Sequence, residues 1–250
     1  MSGEGHRDWL GDCDFHPRGT HLATASGDGT VKVWDFSKGV CTITLSDHTL
    51  AVWSCAFHDQ GEFLVSGSMD HTSKIWDLNT RQTFHGHTDS VNHVSWMPYT
   101  NVVVTAACDK TVCLWDGRTG TCTQTLYGHG NAVNCAVFSL QADKLATCDA
   151  SGFLKLWDVR NLYAELDMVD LGPHPSNRLC FDPSGTITAV ASNEGAVKLW
   201  NAHERFRPGR DVVNPSLAGS APNPVQAVAF DKTAEHLVAG GADGGINIFS

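Results

Sequence analysis

The chain has 250 residues, 42% of them hydrophobic and 18% charged, with 24 Gly and 9 Pro; that is enough apolar material for a sizeable core and excludes a disordered chain. Twenty-seven Asp and Glu against 17 Lys and Arg give a formal charge of −10, which argues against nucleic acid or an anionic membrane as a primary partner. No stretch approaches the ~20 apolar residues of a spanning helix, Met1–Asp8 has no signal-peptide core, and nine scattered Cys without a CxxC pair read as free, reduced thiols of a soluble intracellular protein.

Taken in chain order, the first unit runs from Gly5-His6 to Trp34. Its closing stretch, Thr30-Val31-Lys32-Val33-Trp34, alternates with period two after the turn residues Gly27-Asp28-Gly29. Such alternation with β-branched residues predicts a strand, and the flanking Gly, Asp and Pro predict tight turns. The pattern returns at Trp76, Trp115, Trp157, Trp200 and Phe249, in steps of 42, 39, 42, 43 and 49 residues. A second aromatic series, Phe15, Phe57, Trp96, Phe138, Phe181 and Phe230, stands 19 residues before its partner each time. Length variation therefore falls outside that block, where loops belong. The step into Trp115 trims the outer strand at Asn79-Thr80-Arg81-Gln82-Thr83-Phe84, and residues 201–224 read as a Pro/Gly-rich loop insertion. No segment carries a convincing 3.6-residue period. A four-stranded antiparallel unit of this length, repeated six times here with no fourth strand in the sixth copy, is a blade of a β-propeller, each burying its faces against the next. The expected fold class is all-β, with residues 1–250 forming one propeller domain.

Four units place a His 28 residues before the Trp: His6, His48, His87 and His129. Asp28, Asp70, Asp109 and Asp243 lie six before the closing aromatic, and Ser26, Ser68 and Ser192 lie two before that turn position. His6, Ser26 and Asp28 hold the residue types of a hydrolase triad. The set recurs as His48, Ser68 and Asp70, whereas an enzyme needs one site and a repeat fold needs one bridge per blade. It also decays along the chain. Ala107 replaces the Ser in the third unit, Asp149 and Ser151 reverse the types in the fourth, the fifth has Gly172 and Glu194, and the sixth has Ala221, Gly241 and Phe249. A structural role is expected, with no catalytic residue. The nucleophile-elbow, P-loop and zincin patterns are absent. His85-Gly86-His87 is a metal-like pair, but His87 belongs to the repeating set, so no metal and no cofactor is expected.

These residues resemble the WD40-repeat family over essentially the whole chain. The resemblance implies that in each blade the Trp indole, the Ser hydroxyl, the His ring and the turn Asp form a buried hydrogen-bond chain. Here that set is His6, Ser26, Asp28 and Trp34; His48, Ser68, Asp70 and Trp76; His87, Asp109 and Trp115; and His129 with Trp157. Strand-entry positions three to five residues after the blade His face one rim in such proteins. They include Trp9, Trp53, Asn92 and Asn134, with Met69 beside the turn Asp, and form the candidate partner surface. The alternative for Trp9 and Trp53 is packing between blades. Two blades end in WDxR boxes, Asp116 with Arg118 and Asp158 with Arg160. Paired boxes resemble those of substrate receptors for cullin-RING ubiquitin ligases; the plain alternative is a surface ion pair at a strand end.

Longer stretches carry a narrower resemblance: Ser2–Leu10, Ala51–Cys55, Thr72–Asp77, Gly86–Asn92, Cys148–Gly152 and Asp170–Pro175. Together they are similar to the sperm-associated antigen 16 family, WD-repeat proteins of the axonemal central apparatus in motile cilia and flagella. That resemblance implies a non-enzymatic scaffold on the cytoplasmic cytoskeleton of the axoneme. Its partners would be central-apparatus proteins and tubulin, with no nucleic acid, membrane or small-molecule substrate. The alternatives are the cullin-RING substrate receptor and a centriolar or microtubule-associated WD40 protein. The family places a helical region before a seven-bladed propeller. With six repeats here, the expectation is six blades of seven, in a fragment lacking a first blade and the helical region.

Overall fold

The computed structural model describes residues 5–77, 81–202, 206–208, 212–213 and 223–249, and every regular element among them is a β-strand. The chain divides into two compact units, Met1–Tyr127 and Gly128–Ser250. The expected all-β WD40 propeller class holds, with three blade sheets in each unit.

In the first unit, blade one is β1 (Leu10–Phe15), β2 (His21–Ser26), β3 (Val31–Asp35) and β4 (Val40–Leu45), hydrogen-bonded in that order. Blade two is β5 (Val52–Phe57), β6 (Leu64–Ser68), β7 (Ser73–Trp76) and β8 (Arg81–Phe84); Asn79 and Thr80, at the start of the outer strand expected to be trimmed, lie outside the described residues. Blade three is β9 (Val91–Trp96), β10 (Val102–Ala107), β11 (Val112–Asp116) and β12 (Cys122–Leu126). First strands pack against first strands, β1 on β5 and β5 on β9. Between them lie two clusters, one around Ala23, Val31, Val52 and Trp76, the other around Val65, Phe84, Val91 and Trp115.

In the second unit, blade four is β13 (Val133–Phe138), β14 (Lys144–Asp149), β15 (Phe153–Asp158) and β16 (Asp167–Asp170). Blade five is β17 (Ser176–Phe181), β18 (Ile187–Ser192) and β19 (Ala196–Asn201), followed by β20 (Arg207–Pro208) and β21 (Val212–Val213). Both short strands pair with β19. The segment expected as a loop insertion therefore carries a split outer strand where it is described; residues 203–205, 209–211 and 214–222 lie outside the described residues. Blade six is β22 (Val225–Phe230), β23 (Leu237–Gly241) and β24 (Ile246–Phe249).

Two local devices recur in all six blades. The turn between second and third strands needs a left-handed residue, filled by Gly29, His71, Lys110, Gly152, Gly195 and Gly244. Gly152 has no alternative, because a Cβ there would stand 2.1 Å from the Gly172 carbonyl oxygen. Each first strand also carries one bulged residue, skipped in its pairing with the second strand: Gly11, Trp53, Asn92, Asn134, Asn177 and Gln226. A bulge re-aims the side chain it inserts. That matters for the site.

Candidate functional site

In four blades a buried chain of polar groups crosses the sheet. Trp34 Nε1 donates to Thr24 Oγ1 at 2.8 Å, His6 Nε2 lies 2.7 Å from the same oxygen, and His6 Nδ1 lies 3.0 Å from Asp28 Oδ2. Blade two repeats this with Trp76, Ser66, His48 and Asp70 at 2.8 Å for each link. Blade three uses Trp115, Thr105, His87 and Asp109, and blade four uses Trp157, Thr147, His129 and Asp149. One protonation pattern satisfies every group. The indole N–H donates to the hydroxyl, the hydroxyl to Nε2, and Nδ1–H to the carboxylate.

This corrects the expected membership. Ser26 and Ser68 are outside the chain; the hydroxyl stands two residues earlier, ten before the Trp. Ser26 Oγ instead reaches the Asp8 carbonyl at 3.4 Å, and Ser68 Oγ donates to the Ala51 carbonyl at 2.9 Å. Each also accepts from the turn N–H, of Asp28 and Asp70 respectively, so these serines fix the turn. Ala107 therefore costs blade three nothing in the chain itself. Blade four is likewise intact, because Asp149 does from two residues earlier what Asp28, Asp70 and Asp109 do elsewhere. Thr24, Ser66, Thr105, Thr147 and Asp149 are the residues that sequence reasoning missed. Their signal is a hydroxyl ten residues before each of four Trp residues.

Decay is confined to the second unit's last blades. Blade five has Val190 at the hydroxyl position, and the buried Trp200 Nε1 has no hydrogen-bond partner. Glu194 there pairs with Lys198 at 2.7 Å. Blade six has Ala239 and Phe249, which removes the indole and hydroxyl together, and Asp243 caps the Gly245 N–H at 2.8 Å. Ala221 lies outside the described residues.

The electrostatics suit a fixed bridge. Burial raises the pKa of Asp70 and Asp109, but hydrogen bonds from His48 and Thr72, and from His87 and Thr111, outweigh it and hold both carboxyls well below the usual range. For Asp28 burial is overcome by Thr30, the Arg7 N–H and His6, and for Asp149 by His129 and the Phe153 N–H. Ser66, Thr105 and Thr147 are fully buried. A nucleophile must meet a substrate, and these oxygens are enclosed between an indole and an imidazole. His87, of the metal-like pair, has both ring nitrogens engaged. No group of three or more His, Cys, Asp or Glu capable of holding a metal occurs among the described residues. The nine cysteines form no disulfide, and burial pushes the thiols of Cys113 and Cys180 up to about 12, away from reactivity.

The rim residues divide. Trp9 and Trp53 pack with ring centroids 4.5 Å apart and planes tilted by 34°, yet Trp9 remains 42% exposed. Packing between blades and presentation to solvent are thus both realised in one pair. Gly11 makes room for it, since a Cβ there would approach the Trp9 ring to 3.1 Å and the Trp53 carbonyl to 2.8 Å. Met69, whose N–H donates to the Ala51 carbonyl at 2.9 Å, and Leu50, whose carbonyl lies near Gly29, are each about half exposed; Leu50 is an addition to the expected set. Asn92 is half-buried against Cys108 Sγ at 3.3 Å. Asn134 turns to the neighbouring blade, its Nδ2 donating to the Ser176 carbonyl at 2.9 Å, as Asn177 does to the Val225 carbonyl at 2.7 Å. The bulged amides thus stitch blade to blade.

In the WDxR boxes, Arg160 grips Asp158 through two contacts of 3.0 Å, and Arg118 Nε lies 3.5 Å from Asp116. Both arginines are largely exposed.

Comparison with known proteins agrees with this geometry. The family described as "WD domain, G-beta repeat" matches residues 1–35, 39–77, 78–116, 120–158, 170–201 and 214–250. The chain is 28% identical over 270 residues to nuclear distribution protein PAC1 of Arthroderma benhamiae, an alignment covering 94% of this chain and 57% of that protein. It is 32% identical over 206 residues to a guanine nucleotide-binding protein subunit beta of Nicotiana tabacum, covering 79% of this chain and 45% of the other. It is 24% identical over 243 residues to the target of rapamycin complex subunit wat1 of Schizosaccharomyces pombe, covering 94% and 76%. The chain thus spans little more than half the length of the PAC1 relative.

Proposed function

The chain belongs to the WD domain, G-beta repeat family, and on that premise we propose that it is a non-catalytic protein-interaction scaffold that docks partners on the Trp9, Leu50, Trp53 and Met69 rim. The single observation that carries this reading is the Trp9–Trp53 contact, a tilted aromatic pair between blades whose Trp9 ring is still open to solvent. Rigid aromatic anchors beside a methionine are the composition of a binding hot spot. The polar chains of blades two to four, with Ser66, Thr105 and Thr147 fully buried, supply the rigidity.

The scaffold's place is the axoneme central apparatus of a motile cilium or flagellum, on or beside its microtubules. What supports this is the similarity of Ser2–Leu10, Gly86–Asn92, Cys148–Gly152 and Asp170–Pro175 to the sperm-associated antigen 16 family. A relative named as a target of rapamycin complex subunit is in keeping with a role inside a protein complex. Proximity labelling of the tagged chain in a ciliated cell tests it. Central-pair neighbours are expected; ligase adaptors lost on substituting Arg118 and Arg160 would overturn it in favour of a substrate receptor.

A further inference from the structure

At the end of β5 opposite Trp53, a cavity of about 660 Å³ opens between blades one and two, within the ~300–1,000 Å³ range of ligand pockets. We propose that this groove is a second docking site, which takes a partner segment presenting an aromatic residue followed by a lysine or arginine. It is independent of the rim.

The repeat itself supplies the template for the aromatic part. Val31 pairs with Leu45, and Ser73 pairs with Phe84. Val31 and Ser73 each stand three residues before their blade's Trp, so Leu45 and Phe84 are equivalent. Between blades two and three, Phe84 is buried and stacks on Trp115 with centroids 5.2 Å apart and planes 7° from parallel. Between blades one and two, Leu45 occupies that place, and Leu45 and Trp76 both line the cavity. Leucine is the smaller side chain. The first interface therefore lacks the ring that closes the second, and Phe57 and Phe63 complete an aromatic wall. A ring entering from outside would lie over Leu45 and against Phe57 and Phe63, beside the part of Trp76 that lines the groove, in the offset or edge-to-face geometries that aromatic pairs favour.

Charge supplies the rest. The lining includes the carboxyl residues Glu62 and Asp77 and no Lys or Arg, and Glu62 is exposed. A cation beside the inserted ring reaches the exposed Glu62 carboxylate, and the chain's net charge of −10 favours its approach.

The test titrates N-acetyl-phenylalanyl-lysine amide into the full chain and follows the assigned Trp76 indole signal by NMR. A saturable shift is expected, with affinity at least about tenfold weaker for Leu45→Phe, whose added ring closes the groove. Leu45→Phe should also melt at a higher temperature. Glu62→Arg, at an exposed position, decides the charge component without risk to the core: severalfold weaker binding is expected. Trp9→Ala should bind as the parent does. No saturable shift at Trp76, unchanged affinity in Glu62→Arg, or loss of binding in Trp9→Ala overturns the proposal.

Discussion

Ser66 Oγ lies 2.8 Å from Trp76 Nε1 and closes a hydrogen bond between two residues ten apart, across the β6–β7 hairpin. His48 Nε2 meets the same oxygen at 2.8 Å. Removing that hydroxyl strands two buried groups at once. Ser66→Ala is therefore expected to cost about 2–6 kcal/mol in urea unfolding, at ~1–3 per stranded group. Ser68→Ala, which loses turn contacts to backbone groups, should cost about 1 kcal/mol. Equal losses would show that the chain does not run through Ser66.

Blade five offers the reverse experiment. Val190 holds the position of Thr24, Ser66, Thr105 and Thr147, and Trp200 Nε1 is buried without a partner. Val190→Thr restores an acceptor in nearly the same shape. A gain of about 1 kcal/mol is expected in the urea midpoint, and no gain from Val190→Ala.

The four His–Asp links predict acid sensitivity with a definite sign. Asp28, Asp70, Asp109 and Asp149 have carboxyls held below the ordinary range in the folded state. Their contribution is complete above the unfolded value of ~3.9 and is lost as pH falls through the depressed folded values. Stability should drop steeply below about pH 4. Asp149→Asn should be less stable than the parent at neutral pH and show a shallower acid slope, measured as urea midpoint against pH.

Asp14 has the opposite sign. Burial raises its carboxyl to about 6, against the pull of a 2.7 Å hydrogen bond from the Phe57 N–H, with Asp12 adding repulsion. The folded state then binds the proton more tightly than the unfolded state, so stability falls as pH rises from about 4 to about 6. Asp14→Asn should stabilise the protein by about 2 kcal/mol above that window and have little effect below it. Thermal melts at either end of the window check this.

The blades were legible because Phe15 and its successors, 19 residues before each closing aromatic, sit on strands whose alternation is a local property. His6, His48, His87 and His129 were legible for the same reason. The hydroxyl was not. Thr24 and Ser26 lie two apart on one strand and so share a face, and spacing alone cannot choose between them. Register decides: Trp34 pairs with Leu22, which sets Thr24 one diagonal step away. Asp149 was missed by the same two-residue ambiguity. The bulges at Trp53, Asn92 and Asn134 are properties of strand pairing, invisible in one strand, although the run Asn92, Asn134, Asn177 and Gln226 four residues before the aromatic marker is their trace. The groove beside Leu45 follows from one side chain's size against its counterpart Phe84, which matters only once register has made the two equivalent.

The most direct test of the scaffold reading compares proximity labelling by the parent and by Leu50→Asp/Met69→Glu in a ciliated cell. Both side chains are about half exposed, so the fold should survive, and an unchanged thermal melt verifies that it does. Loss of the parent's central-pair neighbours in the variant is the expected result. An identical set of neighbours, with the melt unchanged, would contradict docking on this rim.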